Sequence, residues 1–392
     1  MRRTIFDDDH ELFREQVRRF VEAEVAPRVA EWNAAGTSDR ETWRKAGAAG
    51  LLGAGAPEEY GGSGGTFLHD AIVTEEFARV RGHAMMVSLH SDICLPYLLH
   101  YGTPEQKERW APGAIRGEVL LGIAMTEPEA GSDLQAIQTR AVRDGDDYVI
   151  NGSKTFISNG QIGDLFIVVV KTDPDARPGR KGMSLVLVPA DTPGFVRGRK
   201  LDKLGLRGQD TSELFFEDCR VSVENLLGAE GRGFYMLMEQ LQQERLSIAV
   251  GAMASCRRAL EDTLAYVKER RAFGQPIAAF QNTQFKLAEL RAQLDIAQTY
   301  VDQCVVAHNT GRLTPVDSAK AKYNSSELQV CAAALGVQLH GGAGYMDESP
   351  ISRQYTDAAV APIYAGTSEV MKLIISRDFL SDDYEPFNTR NF

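Results

Sequence analysis

The stretch Phe166-Ile167-Val168-Val169-Val170 decides the fold class, because it is short, wholly apolar and rich in β-branched residues. Such a run favours a buried strand rather than a helix. Similar runs occupy residues 148–150, 185–188 and 214–216. We therefore predict a β domain, a small barrel or sandwich, over residues 121–234. Dipeptides typical of turns separate the runs, and the first is predicted to form a hairpin: Asn151-Gly152, Asn159-Gly160, Pro178-Gly179 and Pro193-Gly194.

Helical periodicity flanks this segment on both sides. Before it, apolar residues such as Leu12, Val17 and Val21 recur at helical spacing among charges. Thr103 followed by Pro104 is typical of a helix start, with the threonine as N-cap. After it, four helical patterns without breaks favour a four-helix bundle. Their apolar positions include Leu241, Ile248, Leu260 and Val267, then Phe285, Leu290, Leu294 and Ile296, then Leu328 and Val337, and last Val370 and Leu373.

The predicted fold is an α+β multidomain chain. It comprises an N-terminal helical domain (residues 1–120), a middle β domain (121–234) and a C-terminal four-helix bundle (235–392). The length of 392 residues, with 43% hydrophobic and 25% charged residues, is sufficient for this division and ordinary for a globular protein. A net charge of −11 disfavours nucleic acid or an anionic membrane as a partner.

The cysteines and the N-terminus indicate the compartment. The five cysteines are odd in number and form no C-x-x-C pair, so buried thiols are expected rather than a disulfide framework. The first residues lack the apolar core of a signal peptide and turn acidic at Asp7. We therefore expect a cytoplasmic protein. The seven histidines show no metal-ligand spacing, so no metal site is expected.

Four segments carry candidate chemistry. Residues 125–133, Met-Thr-Glu-Pro-Glu-Ala-Gly-Ser-Asp, place a hydroxyl and several backbone N–H groups on one loop, which suits an electron-rich ring that accepts negative charge. Arg270 and Arg271 offer two guanidiniums to a pyrophosphate. Residues 338–345, Gln-Leu-His-Gly-Gly-Ala-Gly-Tyr, are glycine-dense and allow close backbone approach, but lack the Rossmann spacing. The fourth segment is residues 363–369, Ile-Tyr-Ala-Gly-Thr-Ser-Glu.

The chain resembles the acyl-CoA dehydrogenases almost from end to end, and three of these segments carry the resemblance: residues 125–133, 338–345 and 363–369. That resemblance implies FAD as cofactor, an acyl-CoA thioester as substrate and a trans-2-enoyl-CoA as product. In most members the last segment reads Tyr-Glu-Gly-Thr, and its Glu removes the substrate α proton. Here that position is Ala365. The long-chain and isovaleryl branches place the base on a helix just before an Arg, and Glu244 before Arg245 matches them.

The resemblance also assigns the remaining roles. The backbone N–H of Ala365 would still bind the thioester carbonyl, while Ser132, Arg245 and Gly366 would contact substrate. Glu129 stands where the family usually has Gly. Arg270, Phe273 and Gln281 are assigned to the FAD of a neighbouring subunit. The full set implied to bind the cofactor is Met125, Thr126, Ser132, Phe156, Ser158, Arg270, Phe273, Gln281, Gln338, Gly341, Gly342, Thr367 and Glu369.

Three functions remain open from the sequence. The leading one is an acyl-CoA dehydrogenase of β-oxidation, acting on long-chain fatty acyl-CoA and passing electrons to an electron-transferring flavoprotein. The resemblance implies a homotetramer. An acyl-CoA oxidase, or a dehydrogenase for branched or other acyl groups, is the second. A catalytically silent member that binds acyl-CoA is the third, because Ala365 removes the usual base.

Overall fold

The computed structural model describes residues 3–381 and 384, which form two compact units. The first unit is Phe6–Leu241, and the second contains residues 3–5 together with those from Gln242 onward. Arg3 joins the second unit through an ion pair in which its Nη2 lies 2.7 Å from Oδ1 of Asp302. Within residues 3–381, no helix combines the length and apolar character that crossing a bilayer requires.

The first unit begins with helices, as predicted. Thr103 is the N-cap of a helix whose first turn contains Pro104. Asp7 and Thr66 are the N-caps of two other helices, and all three caps form capping boxes. Val17 and Val21 are fully buried, but Leu12 is 64% exposed. The prediction that Leu12 belongs to the apolar face of its helix was therefore wrong. The helices are α1 (Asp8–Phe20), α2 (Val29–Ala35), α3 (Arg40–Ala48), α4 (Phe67–Arg79), α5 (Leu95–Tyr101) and α6 (Pro104–Ile115), with π-helical turns at Val21–Val25 and Leu89–Cys94.

The rest of this unit contains an eight-stranded sheet, which confirms the middle β domain. Its strands are β1 (Leu121–Ala124), β2 (Arg140–Asp144), β3 (Asp147–Ser158), β4 (Leu165–Lys171), β5 (Met183–Pro189), β6 (Phe195–Lys200), β7 (Thr211–Ser222) and β8 (Leu226–Leu227). The order is β6-β7-β3-β2-β4-β5-β8, with β1 parallel to β4. The apolar run of β4 is buried throughout, which explains its lack of alternation.

The predicted hairpin turn at Asn151-Gly152 is wrong. Both residues lie inside β3, and the turn between β2 and β3 is at Gly145, whose φ is +66°. Asn151 bonds instead to Asp218 on β7: its Nδ2 donates to Oδ1 at 3.0 Å and its Oδ1 accepts the backbone N–H at 2.9 Å. A Cβ on Gly152 would lie 2.5 Å from Oγ1 of Thr139. The dipeptide therefore lies at an irregularity in the pairing of β3 with β7 and does not form a turn.

The second unit is helical, in agreement with the predicted bundle. Its helices are α7 (Gly233–Glu269), which begins in the first unit, then α8 (Gln281–Asn309), α9 (Pro315–His340), α10 (Pro350–Ala358) and α11 (Ser368–Phe379). Leu290 and Leu294 of α8 are buried as expected. Phe285 and Ile296, predicted on the same apolar face, are 63% and 73% exposed. The short α10 was not predicted.

Candidate active site

The loop after β1 presents the first candidate groups. Thr126 is half-buried; its carbonyl accepts the N–H of Thr155 at 2.9 Å. In the described part of the chain, neither the N–H nor the hydroxyl of Thr126 donates to another protein group. Ser132 and Glu129 are exposed, and Met125 is half-buried. Thr126 therefore keeps two donors for a ligand, as the proposed flavin contact requires.

Strand β3 presents an aromatic ring beside this loop. Phe156 is 67% exposed, with φ of +59°, in an irregular part of the β3–β7 ladder. Ile157 is buried and Ser158 is half-buried, so Phe156 and Ser158 lie on the outer side of β3. An exposed ring on a left-handed, non-glycine backbone is unusual enough to indicate a functional constraint. A flat ligand ring would give Phe156 the apolar contact it lacks.

Sequence reasoning missed the side chains that hold these two segments. Glu127 is 5% exposed; its Oε1 accepts from Lys154 Nζ at 2.8 Å and from the Thr139 N–H at 3.0 Å. Lys154, 1% exposed, also donates to the Met125 carbonyl at 3.0 Å. Burial lowers the pKa of Lys154 to about 8, with Glu127 opposing the shift. Burial opposes ionisation of Glu127 as well, but Lys154 and the hydrogen bonds outweigh it and lower the pKa of that carboxyl.

Helix α7 carries Glu244 and Arg245. By composition the run Gln242-Gln243-Glu244-Arg245 resembles a solvated helix face. The structure instead leaves only 4% of Glu244 and 5% of Arg245 exposed. Buried charged side chains are rare unless they have a partner or a function. The burial of Glu244 therefore excludes the solvated helix face that its composition suggested.

The turn before α11 contains two consecutive left-handed residues. Ala365 has φ of +50° and Gly366 has φ of +96°. A Cβ on Gly366 would meet Met371 Cε at 2.7 Å and would stand 3.8 Å from Arg245 Nη2, so Arg245 lies close to this turn. The N–H of Ala365 donates to no acceptor among residues 3–381 and 384. A half-buried N–H in this state is available to a substrate oxygen.

Lys322 on α9 anchors this turn, and no sequence motif pointed to it. The side chain is fully buried, and its Nζ donates to the Gly366 carbonyl at 2.8 Å. Burial lowers the pKa of Lys322 to about 8; the charge of Arg245 adds to that shift, whereas Glu327 and Glu369 oppose it. Two buried cations therefore border the turn that carries the Ala365 N–H.

Thr367 and Glu369 begin the helix after this turn. The Thr367 hydroxyl caps α11 by accepting the Val370 N–H at 3.3 Å. Glu369 is exposed in the first turn. Hydrogen bonds from its own backbone N–H and from the Thr367 side chain lower the pKa of Glu369. Ser368 Oγ donates to Glu327 Oε1 at 2.5 Å, which ties α11 to α9.

The segment after α7 forms a short hairpin. Strands β9 (Arg271–Ala272) and β10 (Gln275–Pro276) pair around Phe273-Gly274, whose φ angles are +52° and +82°. The Phe273 side chain is 95% exposed at the tip. Arg270 and Gln281 at its two ends are also exposed. The hairpin thus presents an aromatic side chain outward, which suits contact with a ligand or another subunit.

The glycine-dense segment begins in the last turn of α9 and continues beyond the helix. Gly341 has φ of +60°, and a Cβ added to Gly341 or Gly342 would find nothing within 4 Å. Gln338 is exposed in the last turn of α9. The backbone here is open to a large ligand. Tyr266 stacks on His340 with ring centroids 4.1 Å apart and donates to its carbonyl at 3.1 Å, which fixes the start of the segment.

The structure groups the predicted residues by unit. In the first unit, the Thr126 loop and the Phe156 strand are joined by the Glu127–Lys154 pair. In the second unit, Arg245 and the Ala365-Gly366 turn lie together with Lys322, which was not predicted. Among residues 3–381 and 384, no group of three His, Cys, Asp or Glu side chains is placed to hold a metal ion.

Known proteins match this chain over nearly its whole length. Three family models match: acyl-CoA dehydrogenase N-terminal domain (residues 7–118), middle domain (122–219) and C-terminal domain (231–380). The mitochondrial long-chain specific acyl-CoA dehydrogenase of Mus musculus is 49% identical, over 97% of this chain and 88% of that protein. The mitochondrial isovaleryl-CoA dehydrogenase of Bos taurus is 39% identical, over 96% and 89%.

Solved structures match equally well. A crystal structure of acyl-CoA dehydrogenase from Geobacillus kaustophilus has a TM-score of 0.94 at 46% identity, covering 95% of this chain and 98% of that chain. A structure described as electron transferring flavoprotein of Acidaminococcus fermentans gives 0.93 at 35%, covering 97% and 100%. A glutaryl-CoA dehydrogenase from Mycobacterium smegmatis in complex with FADH2 gives 0.89 at 30%, covering 95% and 95%.

The fold and the matches define a flavin-dependent oxidoreductase that acts on the CH–CH group of its substrate. The chain belongs to the acyl-CoA dehydrogenase family, so its cofactor is FAD and it dehydrogenates acyl-CoA thioesters. The residues present fit that cofactor on three observations of this structure. Thr126 has two donors without protein acceptors, Phe156 exposes its ring on a constrained backbone, and Gly341-Gly342 leave the backbone open.

Proposed function

We propose that Glu244 is the general base that removes the α proton of the acyl-CoA. The supporting observation is its burial: a carboxylate only 4% exposed lies next to Arg245, and Arg245 borders the turn whose usual carboxylate is replaced by Ala365. A base on a helix is well placed to act from a fixed position. The base therefore lies on α7 instead of at position 365, and the enzyme keeps its activity.

The remaining groups of the second unit orient the thioester. The Ala365 N–H donates to the thioester carbonyl and stabilises the negative charge that develops as the α proton leaves. Lys322 holds the following carbonyl, and Arg245 lies against Gly366. Bound FAD supplies the acceptor for the β hydrogen, which leaves as hydride. The α proton moves to Glu244. The electron pair of the α C–H bond then forms the new C=C bond, and the electron pair of the β C–H bond leaves with the hydride.

Each unit carries residues that we propose to contact flavin. Thr126 and the backbone near Met125 bind the ring system, with Ser132, Phe156 and Ser158 beside them. Arg270, Phe273 and Gln281 bind the FAD of a second copy, and the 95% exposure of Phe273 supports a role outside its own subunit. The other residues proposed to contact cofactor are Gln338, Gly341, Gly342, Thr367 and Glu369.

We propose long-chain acyl-CoA as the substrate. Identity to the long-chain enzyme of Mus musculus is 49%, ten points above that to the isovaleryl enzyme of Bos taurus. We also propose an electron-transferring flavoprotein as electron acceptor, a homotetramer as the assembly and the cytoplasm as the location. Exposed apolar side chains on the second unit, including Phe285 and Ile296, support association with further copies.

Anaerobic titration of the purified holoenzyme with acyl-CoAs of graded length tests this proposal. Flavin absorbance should bleach with long chains, weakly with isovaleryl-CoA, and not at all in Glu244→Gln. Glu239→Gln is the matched control, because Glu239 lies on the same helix and accepts from the Tyr101 hydroxyl at 2.8 Å. Bleaching of Glu244→Gln at the wild-type rate would refute the assignment of the base. Peroxide release in air at the rate of turnover would show that oxygen, rather than an electron-transferring flavoprotein, is the electron acceptor.

A further inference from the structure

The Glu127–Lys154 ion pair is deeply buried and lies next to the proposed flavin contacts Thr126 and Phe156. The side chains of Glu127 and Lys154 are 5% and 0% exposed, and Nζ lies 2.8 Å from Oε1. Both carry hydrogen bonds beyond the pair itself. Glu127 accepts the N–H groups of Gln138 at 2.5 Å and Thr139 at 3.0 Å, and Lys154 donates to the Met125 carbonyl at 3.0 Å. The pair thus links three segments, residues 125–127, residues 138–139 and strand β3, through backbone atoms of the first two.

Those segments are the ones that present the proposed flavin donors. Met125 and Thr126 precede Glu127 directly, and Phe156 follows Lys154 by two residues on β3. One direct backbone bond also joins them, from the Thr155 N–H to the Thr126 carbonyl at 2.9 Å. Gln138 and Thr139 lead into β2, so Glu127 fixes the far end of the loop as well.

Stability alone does not explain a pair of this kind. Desolvation of two charges offsets much of their attraction, and well-packed apolar side chains of similar volume often stabilise a fold equally well. Removal of one partner is different, because the other charge is left buried without compensation. A buried pair that holds backbone atoms of two segments is better explained by the geometry that it imposes.

We propose that Glu127 and Lys154 are positioning residues, which set the spacing between the Thr126 donors and the Phe156 ring and thereby the affinity and reduction potential of the bound flavin. This inference rests on the proposed flavin contacts of Thr126 and Phe156. The carboxylate fixes the loop, and the ammonium fixes the loop to β3. Neither side chain need touch the flavin for this effect.

Three variants of the full-length protein test the proposal: Glu127→Gln, Lys154→Met and the double variant. Each is converted to apoprotein and titrated with FAD, and its unfolding free energy and flavin midpoint potential are measured. The single variants should lose both stability and FAD affinity. The double variant should recover most of the stability, because no lone charge remains buried. Its dissociation constant for FAD should still exceed that of wild type at least tenfold, with a shifted potential.

A surface pair in the same sheet provides the control. Arg220 Nη2 and Asp144 Oδ2 are 2.6 Å apart, with both side chains more than half exposed. The double variant Arg220→Met/Asp144→Asn should leave FAD affinity and potential unchanged. Recovery of stability, affinity and potential together in the Glu127→Gln/Lys154→Met protein would overturn the proposal, since the pair would then be structural only.

Two further arms keep the outcomes distinct. If the double variant does not fold, Lys154→Arg keeps the charge but changes the donor geometry, and unaltered FAD affinity in that protein would also overturn the proposal. Thr126→Ala tests the proposed flavin contact itself. Wild-type FAD affinity and potential in Thr126→Ala would show that the underlying site assignment has failed, whatever the pair does.

Discussion

Replacing Lys322 with methionine should lower kcat/KM without removing FAD. The substitution removes the donor that lies 2.8 Å from the Gly366 carbonyl, in a side-chain position with no exposure. A hydrogen bond from a charged group contributes about 1.5–3 kcal/mol. Ala365 is held at φ of +50°, a left-handed conformation that costs a non-glycine residue roughly 1–2 kcal/mol. Without its anchor, the turn is therefore free to relax.

The size of the effect follows from these energies. Because about 1.4 kcal/mol corresponds to a tenfold change in rate, loss of the anchor should reduce kcat/KM roughly 10- to 100-fold. Stopped-flow reduction of the flavin by a long-chain acyl-CoA measures this directly, and FAD content checks that the cofactor stays bound. Lys320→Met, the same change two residues earlier on α9, is the control. A folded Lys322→Met protein with unchanged kcat/KM would refute the anchoring role.

Three other predictions concern the titration of Lys322, the exposed ring of Phe273 and the position of the base. Burial lowers the Lys322 pKa from 10.5 to about 8. Between pH 8 and pH 10.5 the unfolded chain therefore binds more protons than the folded protein, and the free energy of unfolding should rise with pH. Denaturant titrations of Lys322→Met should show a smaller rise than those of wild type. Phe273→Ala should leave the stability of the subunit within about 0.5 kcal/mol, because the ring is 95% exposed, yet weaken FAD retention and assembly as seen by gel filtration. Ala365→Glu combined with Glu244→Gln should regain part of the bleaching lost in Glu244→Gln alone, and no gain would argue against a relocated base.

The sequence predicted the order of the fold because periodicity is a local signal. The run at residues 166–170 and the Thr103 cap are read from neighbouring residues, and both took the expected form. Asn151-Gly152 failed because its side-chain partner is Asp218, 67 residues away in the chain. Phe285 and Ile296 failed because periodicity places apolar residues on a helix without showing what covers them.

The candidate site shows the same limit. Motifs supplied Thr126, Ala365 and Glu244, but composition suggested a solvated Glu244 and the structure buries it. Lys154 and Lys322 went unnoticed because lysine is almost never fully buried, so nothing in their neighbours predicts it. Their roles depend on backbone atoms of remote segments, at Met125 and Gly366, which only the folded chain brings near.

The most direct test of Glu244 as the base separates proton removal from hydride transfer. A 3-thia acyl-CoA keeps an acidic α C–H but has sulfur where the β carbon would be, so it can lose a proton without being oxidised. Incubated with the holoenzyme in D2O, this analogue should take up deuterium at the α carbon with wild type and with Glu239→Gln. Glu244→Gln should bind the analogue and show no exchange above the uncatalysed rate. Exchange at the wild-type rate in that variant would contradict the account.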